Sequence, residues 1–281
     1  MKTSLRGIAV LLSAVGCGAI QPLPADHFQQ QPPQQQAPAV VAVEPAGEPL
    51  PQMENTFGGD ARQQVTSAEF PWSTVGRLNT GCTATLIDSR LVLTAAHCIL
   101  DPDGRWMAQY YAFYPNMVGG QAREAARGVH VWYGTRTPLR PGTAFIDDWA
   151  IVLLDRDLGE RFRWLGTRDH TPAPGEKVTL TGYSADVDGG QTATTHVDCQ
   201  IQSGQLEGQI THDCDMTRGA SGGPIWSTAW GEPVIVAVQS IEARNGGETS
   251  LHLAGYDGGN PNGAVPVSHF FSRLLWVVER Y

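Results

Sequence analysis

The 281-residue sequence has no run of basic residues, no Cys-x-x-Cys pair, no internal repeat and no apolar stretch long enough to cross a bilayer. Proteins that bind nucleic acid need clustered Lys and Arg to hold phosphates, so the formal net charge of −9 without a basic run excludes a nucleic-acid partner. What is present is a composition of 41% hydrophobic and 17% charged residues, as in soluble globular proteins. The 32 glycines and 19 prolines favour a turn-rich fold over a helical bundle.

The first 17 residues are typical of an export signal. Lys2 and Arg6 are positive, and residues 8–15 form a short apolar core followed by small residues. The four residues that end at Cys17 are similar to the lipobox of bacterial lipoproteins, in which the cysteine is lipidated, although leucine is usual at the position of Ala14. We therefore predict an exported protein. It is either attached through lipidated Cys17 at the outer membrane or cell surface, or secreted after ordinary signal cleavage.

Residues 18–55 are rich in Pro, Gln and Ala and lack the apolar periodicity of a folded core. This composition predicts a disordered or extended tether, or a propeptide that is removed on maturation. From residue 56 the sequence changes to short apolar runs separated by Gly, Pro and Asp. We therefore expect one folded domain over residues 56–281.

Five cysteines are present, and Cys17 leaves four for the folded domain. An oxidising compartment favours two disulfides, for which three pairings are formally possible. We expect the local pairs Cys82–Cys98 and Cys199–Cys214, each closing a loop of about 16 residues worth about 3 kcal/mol. A zinc site is the alternative, but the cysteine spacing disfavours it.

Short runs of aliphatic and β-branched residues predict buried strands and an all-β barrel or sandwich. These runs are Thr83–Ile87, Leu91–Ala95, Ala150–Leu154, Lys177–Tyr183 and Val234–Ile241. Residues 268–280 alone have helical spacing, and Ser268 could cap that helix. We expect this helix to dock on the barrel surface, with binding of a partner as the alternative.

One heptad, residues 218–224 with Ser221 at its centre, suggests chemistry. A serine hydroxyl is a poor nucleophile at neutral pH, so a reactive serine needs a base and hydrogen-bond donors aimed at the developing oxyanion. Gly219 and Gly222 leave room for a substrate backbone and permit a turn with consecutive N–H groups pointing the same way. Because Gly-Ser-Gly turns are common, Ser221 is a candidate nucleophile only if the chain also supplies a base and an acid.

A candidate base and two candidate acids lie at the ends of predicted strands. His97 follows the run Leu91–Ala95, and Asp147 and Asp148 come just before Ala150–Leu154. A carboxylate buried at such a position needs a partner, and an imidazole N–H is one. The chain thus contains the parts of a Ser-His-Asp triad, with a structural histidine as the alternative interpretation of His97.

These residues lie in three motifs through which the chain resembles the trypsin-like serine proteases of the chymotrypsin fold. The motifs are Leu93-Thr94-Ala95-Ala96-His97-Cys98, Asp148-Trp149-Ala150-Ile151-Val152-Leu153 and Gly219-Ala220-Ser221-Gly222-Gly223-Pro224. Their order, His then Asp then Ser, is that family's order. Softer matches extend over most of residues 56–281.

The resemblance implies an all-β fold of two six-stranded Greek-key barrels, about residues 56–165 and 166–265, followed by the C-terminal helix. The active site would lie between the barrels. His97 would act as general base and then acid, Asp148 would hold its tautomer, and Ser221 would attack the acyl carbon. The backbone N–H groups of Gly219 and Ser221 would form the oxyanion hole. Asp147 competes with Asp148 for the orienting role.

Three further positions follow from the same resemblance. Ser240 lies where the family has a serine that hydrogen-bonds the triad aspartate. Asp215 lies where trypsin-type members carry the acid that pairs with Arg or Lys of the substrate, and Glu242 adds negative charge nearby. Gln239 lies where glutamate-cleaving bacterial relatives have a histidine, and this difference disfavours cleavage after glutamate. We therefore predict cleavage after Arg or Lys, with local backbone hydrogen bonds as the alternative role of Asp215.

The chain departs from the family pattern at Ala220. Many animal members have an aspartate there, which pairs with a new N-terminal ammonium after cleavage. Bacterial relatives with other arrangements are thus the closer comparison, and we predict that cleavage near Thr56 is not required for activity.

The sequence predicts a serine endopeptidase that acts on protein or peptide substrates as a monomer, without a cofactor or metal. Residues 186–190 contain carboxylates and glycines, but their spacing favours a solvated turn over a calcium site. A trypsin-like fold used only for binding is the alternative from another functional class.

Overall fold

The computed structural model describes Phe57, residues 59–142, residues 144–242 and residues 262–281. The predicted export signal, Cys17 and the segment 18–55 lie outside the described residues. Within the described ranges, no helix is both long and apolar enough to cross a membrane.

The first barrel is a closed ring of six short antiparallel strands. After the two-residue strand β1 (Gln63–Gln64), these strands are β2 (Val75–Leu78), β3 (Thr83–Leu86), β4 (Leu91–Thr94), β5 (Ala112–Pro115), β6 (Ala126–Tyr133) and β7 (Ala150–Leu154). They close in the order β2-β3-β4-β7-β6-β5. Every residue of β3, β4 and β7 is buried, which explains why these strands are continuous apolar runs in the sequence.

The second barrel follows α1 (Gly159–Phe162). Its strands are β8 (Gly166–Thr167), β9 (Lys177–Gly182), β10 (Thr194–Leu206), β11 (Gln209–His212), β12 (Pro224–Ser227), β13 (Val234–Glu242) and β14 (Asn262–Pro266). The order β10-β11-β14-β13-β12-β9 closes because β9 also pairs with β10, while β1 and β8 are short additions. The prediction of two six-stranded barrels is confirmed.

The C-terminal helix α2 (Val267–Val278) packs where the two barrels meet. Phe270 stacks on Trp149 of the first barrel, with ring centroids 4.8 Å apart. The predicted helix is present, but the prediction that Ser268 caps it is wrong. Pro266 occupies the N-cap position without a side-chain hydrogen bond, and the Ser268 hydroxyl instead lies 2.5 Å from the Thr171 hydroxyl.

The segment before the first barrel lies on the second barrel. Strand β1 pairs antiparallel with β10, Gln63 opposite Thr195 and Gln64 opposite Thr194. The N–H of Val65 continues this pairing by donating to the Ala193 carbonyl at 2.8 Å. The start of the described domain is thereby fixed to the barrel that carries Ser221.

Candidate active site

His97 lies in a 3-10 turn, Ala96–Cys98, directly after β4. The predicted disulfide Cys82–Cys98 is present and joins this turn to the residue before β3. The second predicted disulfide, Cys199–Cys214, is also present and joins β10 to the residues after β11. The apolar strand and the crosslink thus hold His97 from both sides, with its side chain 20% exposed.

Asp148 ends the turn Phe145–Asp147 just before β7, and its side chain is fully buried. One carboxylate oxygen accepts the backbone N–H of His97 at 2.8 Å, and the other lies 2.7 Å from Nδ1 of the His97 ring. The Ser240 hydroxyl donates to that second oxygen at 2.5 Å. Asp148 is therefore the carboxylate that meets His97, and Ser240 lies beside it.

The electrostatics of this pair fix the state of the imidazole. Burial opposes ionisation of Asp148, but the positive charge of His97 and the hydrogen bonds from His97 and Ser240 outweigh it and lower the pKa of the carboxyl. An ionised carboxylate only accepts hydrogen bonds, so Nδ1 of His97 must carry a proton. In the neutral ring, Nε2 is then left with a lone pair and can accept a proton.

Ser221 lies on the second barrel, in the tight turn before β12. Its carbonyl accepts from the backbone N–H of Thr83 at 2.9 Å and lies 3.6 Å from Sγ of Cys98. The next N–H, of Gly222, donates to the Gln239 carbonyl at 2.8 Å, which ties the turn to β13. The structure thus brings Ser221 to the residue next to His97, where the two barrels meet.

Two carbonyl contacts set the orientation of the loop before Ser221. The Arg218 carbonyl accepts from Ala185 N–H at 2.7 Å, and the Gly219 carbonyl accepts from the Thr83 hydroxyl at 2.8 Å. In a planar trans peptide the N–H points opposite to the C=O, so Gly219 N–H points away from Ala185. Among the described residues, neither Gly219 N–H nor Ser221 N–H donates to another protein group. Both amides are therefore the candidates for the oxyanion hole that the sequence predicts.

Gly219 has to be a glycine for this arrangement. Its φ of 98° lies in the left-handed region, and a Cβ would collide with the Tyr183 carbonyl. Any side chain there would push the loop away from Tyr183, the residue that follows β9.

Gln209 was not predicted from the sequence as a residue of the site. It hydrogen-bonds two groups next to Asp148. The Gln209 side-chain amide is fully buried and donates at 2.7 Å both to the Ser240 hydroxyl and to the Phe145 carbonyl. Phe145 begins the turn that ends at Asp148. Gln209 lies 31 and 64 residues from these partners, so no local motif could have revealed it.

Gln239 points into the protein. Its side-chain oxygen accepts from Nε2 of the fully buried His212 at 2.6 Å, and its amide donates to the Ile241 carbonyl at 3.2 Å. Nδ1 of His212 accepts the Cys214 N–H at 3.2 Å, so the ring is held in the neutral Nε2–H form. Burial lowers the pKa of His212 to about 4. Both the oxygen and the nitrogen of the Gln239 side-chain amide are therefore hydrogen-bonded to neighbouring residues inside the protein.

The carboxylate of Asp215 is also fully used. Its two oxygens accept the backbone N–H groups of Phe57, at 2.7 Å, and Ala61, at 2.8 Å, and the side chain is 1% exposed. In this arrangement neither oxygen is available to a basic substrate side chain, so the geometry matches the alternative role of local backbone hydrogen bonding. The side chain of Glu242 lies outside the described part of the protein.

The chain is similar to known serine proteases in sequence and in fold. Serine protease 23 of Bos taurus is 26% identical over 199 residues, which cover 62% of this chain and 52% of that protein. This chain therefore spans about half the length of that relative. A further relative, inactive serine protease 35 of Bos taurus, is 37% identical over 62 residues, or 21% of this chain and 15% of that protein.

Among solved structures, a Glu endopeptidase in complex with MPD has a TM-score of 0.63 and 19% sequence identity. The alignment covers 79% of this chain and 98% of that one, and at this identity it shows the fold. The family model described as Trypsin matches residues 59–256, more than half of the 281 residues. The chain belongs to the trypsin family of serine proteases.

Proposed function

We propose that this protein is an active serine endopeptidase that hydrolyses peptide bonds through His97, Asp148 and Ser221. The observation that carries the proposal is the fully buried Asp148 carboxylate, which accepts both the backbone N–H and the ring of His97. A buried ionised carboxylate is costly unless it is paired, and here its pairing fixes the tautomer that a general base requires.

In the proposed reaction, Nε2 of His97 takes the proton of the Ser221 hydroxyl as the serine oxygen bonds to the scissile carbonyl carbon. Gly219 N–H and Ser221 N–H stabilise the oxyanion of the tetrahedral intermediate. His97 then gives the proton to the leaving amine as the C–N bond breaks, which leaves an acyl-enzyme. Water deprotonated by His97 attacks the acyl carbon, the acid is released, and Ser221 regains its proton.

The second candidate function is a trypsin fold used only for binding, and the inactive relative gives it support. The sequence favours the enzyme, because loss of a triad residue is the usual mark of a binding module. Here all three residues are present and the oxyanion position is glycine.

The substrate class is proposed to be proteins or peptides, without a metal or cofactor in the reaction. Cleavage after Arg or Lys stays a prediction that the backbone contacts of Asp215 weaken. Export, lipidation of Cys17, the monomeric state and activity without cleavage near Thr56 also stay predictions.

The decisive test replaces Ser221 by Ala. We expect the wild type to hydrolyse a casein-like substrate and to be labelled by a serine-directed phosphonate. Ser221→Ala should lose about 10⁶ in kcat and all labelling, because the attacking oxygen is gone. Equal activity of the two proteins, or a wild type that is not labelled, would favour the binding module.

A further inference from the structure

Arg62 lies between two carboxylates and is almost completely buried. Its guanidinium donates to both oxygens of Asp60, at 2.9 Å each, and to both oxygens of Asp186, at 2.9 and 2.6 Å. The Arg62 side chain is 3% exposed. Burial alone would lower the pKa of Arg62, but the two carboxylates outweigh it and raise the pKa, so the side chain stays charged. This is a bidentate contact between the N-terminal segment and the second barrel.

Asp186 in turn contacts the loop that leads to Ser221. The Thr217 hydroxyl donates to Oδ1 of Asp186, the oxygen that also accepts from Nη1 of Arg62. The neighbours of Asp186 hold the same two loop residues, since the Ser184 hydroxyl accepts Thr217 N–H at 3.4 Å and Ala185 N–H donates to the Arg218 carbonyl at 2.7 Å. Residues 184–186 thus make three hydrogen bonds with Thr217 and Arg218.

One of these three hydrogen bonds directly affects the candidate oxyanion hole. The contact of the Arg218 carbonyl with Ala185 sets the plane of the peptide whose N–H belongs to Gly219. If residues 184–186 shifted, that peptide could rotate and turn the amide away from the oxyanion. Ala220, directly before Ser221, is buried and apolar, so its side chain supplies no charge to order the loop from within.

A second contact from the same segment reaches the start of the loop. Asp215 accepts the backbone N–H groups of Phe57 and Ala61, and its own N–H donates to Nδ1 of His196 at 2.8 Å. Phe57, Ala61 and Arg62 therefore contact two carboxylates, Asp215 and Asp186, that are part of or bound to the stretch 215–217. The side chains of Arg62 and Thr217, both almost fully buried, make these contacts specific.

We propose that Arg62 is a positioning residue for the oxyanion hole: with Asp60 it fixes Asp186 against Thr217 and so keeps Gly219 N–H directed at the substrate. This inference rests on the proposed function, because an oxyanion hole matters only in an active hydrolase. It assigns a role in ordering the site to the Arg62 side chain, together with the main-chain amides of Phe57 and Ala61.

The test compares Arg62→Gln with a matched control, Arg105→Gln. Arg105 also contacts two aspartates, Asp101 and Asp103, but its side chain is 74% exposed and it lies in a surface turn. We expect Arg62→Gln to lower kcat by 10- to 100-fold, approaching the loss of one oxyanion donor, with KM changed less than about threefold. Arg105→Gln should keep kcat within about twofold.

Two further readouts separate positioning from a general loss of structure. The acid limb of the pH profile of kcat/KM should be unchanged in Arg62→Gln, because the contacts of His97 with Asp148 do not involve Arg62. Arg62→Lys, which keeps the charge but loses the bidentate fork, should recover part of the lost kcat. Asp186→Asn should lower kcat to a similar extent, and the double variant should be no worse than either single variant.

If Arg62→Gln does not fold, Asp186→Asn and Thr217→Val carry the test, with an expected 3- to 10-fold loss of kcat in Thr217→Val. A wild type that hydrolyses peptides, together with variants at Arg62 or Asp186 that keep kcat within about twofold, overturns the inference and leaves the proposed function standing. A wild type that neither hydrolyses peptides nor reacts with the phosphonate overturns both.

Discussion

Asp147 and Asp148 follow one another in the chain, and each meets a histidine in a different environment. Asp148 is fully buried, accepts from the His97 ring and backbone, and accepts from Ser240 as well. The side chain of Asp147 is 39% exposed, and its carboxylate lies 2.8 Å from the ring of His269 on the surface of α2. The resemblance to the trypsin-like proteases favours Asp148, because the family's aspartate directly precedes the residues matched by Trp149 and Ala150, and burial and the number of donors favour the same carboxylate.

A contact between a histidine and an aspartate does not by itself make a catalytic pair. In water, an exposed ion pair contributes about 0 to 1 kcal/mol because solvent screens it. A buried carboxylate has lost its water, so each donor that reaches it has a larger effect on its charge and on its partner's orientation. The four predictions below therefore contrast buried groups with exposed ones.

The largest loss of activity is expected for a change of Asp148, the buried one of the two aspartates. Asp148→Asn should lower kcat by about 10⁴, because the amide can present its N–H to Nδ1 and stabilise the wrong tautomer of His97. Steady-state kinetics on a peptide amide, with circular dichroism to establish that the variant is folded, measure this loss. A decrease of less than about tenfold would contradict the assignment of Asp148.

The same contrast applies to two other imidazoles, His212 and His269. The pKa of buried His212 is lowered to about 4, against about 6.5 in an unfolded chain, so only the unfolded state takes up this proton between those values. Stability from His212 is therefore complete above about pH 6.5 and is lost as the pH falls toward 4, by up to about 3 kcal/mol.

Urea unfolding of wild type and His212→Asn across this pH range tests the linkage. The stability advantage of the wild type should shrink by up to about 3 kcal/mol from pH 6.5 to pH 4. His269→Asn is the exposed control, and its difference from wild type should stay within about 1 kcal/mol throughout. A constant difference for His212→Asn would mean that the ring is not held neutral.

A smaller effect is expected at Gln209, which supports the surroundings of Asp148 without touching His97. Gln209→Leu removes the donors to the Ser240 hydroxyl and the Phe145 carbonyl, so kcat should fall about tenfold and stability by about 1 to 3 kcal/mol. A double-mutant cycle with Ser240→Ala tests whether Gln209 acts through Ser240. The two losses in kcat should be clearly less than additive, and full additivity would show that Gln209 does not act through Ser240.

Whether a feature can be predicted from the sequence alone depends on how far apart its residues lie in the chain. The strands β3, β4, β7, β9 and β13 were predicted to within one residue, because strands buried over most of their length leave continuous apolar runs. His97, Asp148 and Ser221 could be identified as candidates from the sequence because each lies beside such a strand or in a turn with its own local pattern. Both kinds of pattern depend only on residues that are neighbours in the chain.

The rest of the site depends on contacts between distant residues that leave no local pattern. Arg62 meets Asp186 across 124 positions, and Asp215 meets Ala61 across 154. Asp215 was therefore interpreted from its position before Ser221, without its backbone partners in view. Single buried side chains such as Gln209 and Thr83 are ordinary strand residues until the fold brings their partners to them.

The smallest effect is expected at the exposed member of the pair. Asp147→Asn should keep kcat within about twofold and stability within about 1 kcal/mol, because its contact with His269 is open to solvent and the Trp149–Phe270 stack still holds α2. The same kinetic assay as for Asp148→Asn gives the comparison, with urea unfolding for stability. A loss in kcat near that of Asp148→Asn would mean that Asp147 takes part in orienting His97, and burial with three donors would then not be what selects the working carboxylate.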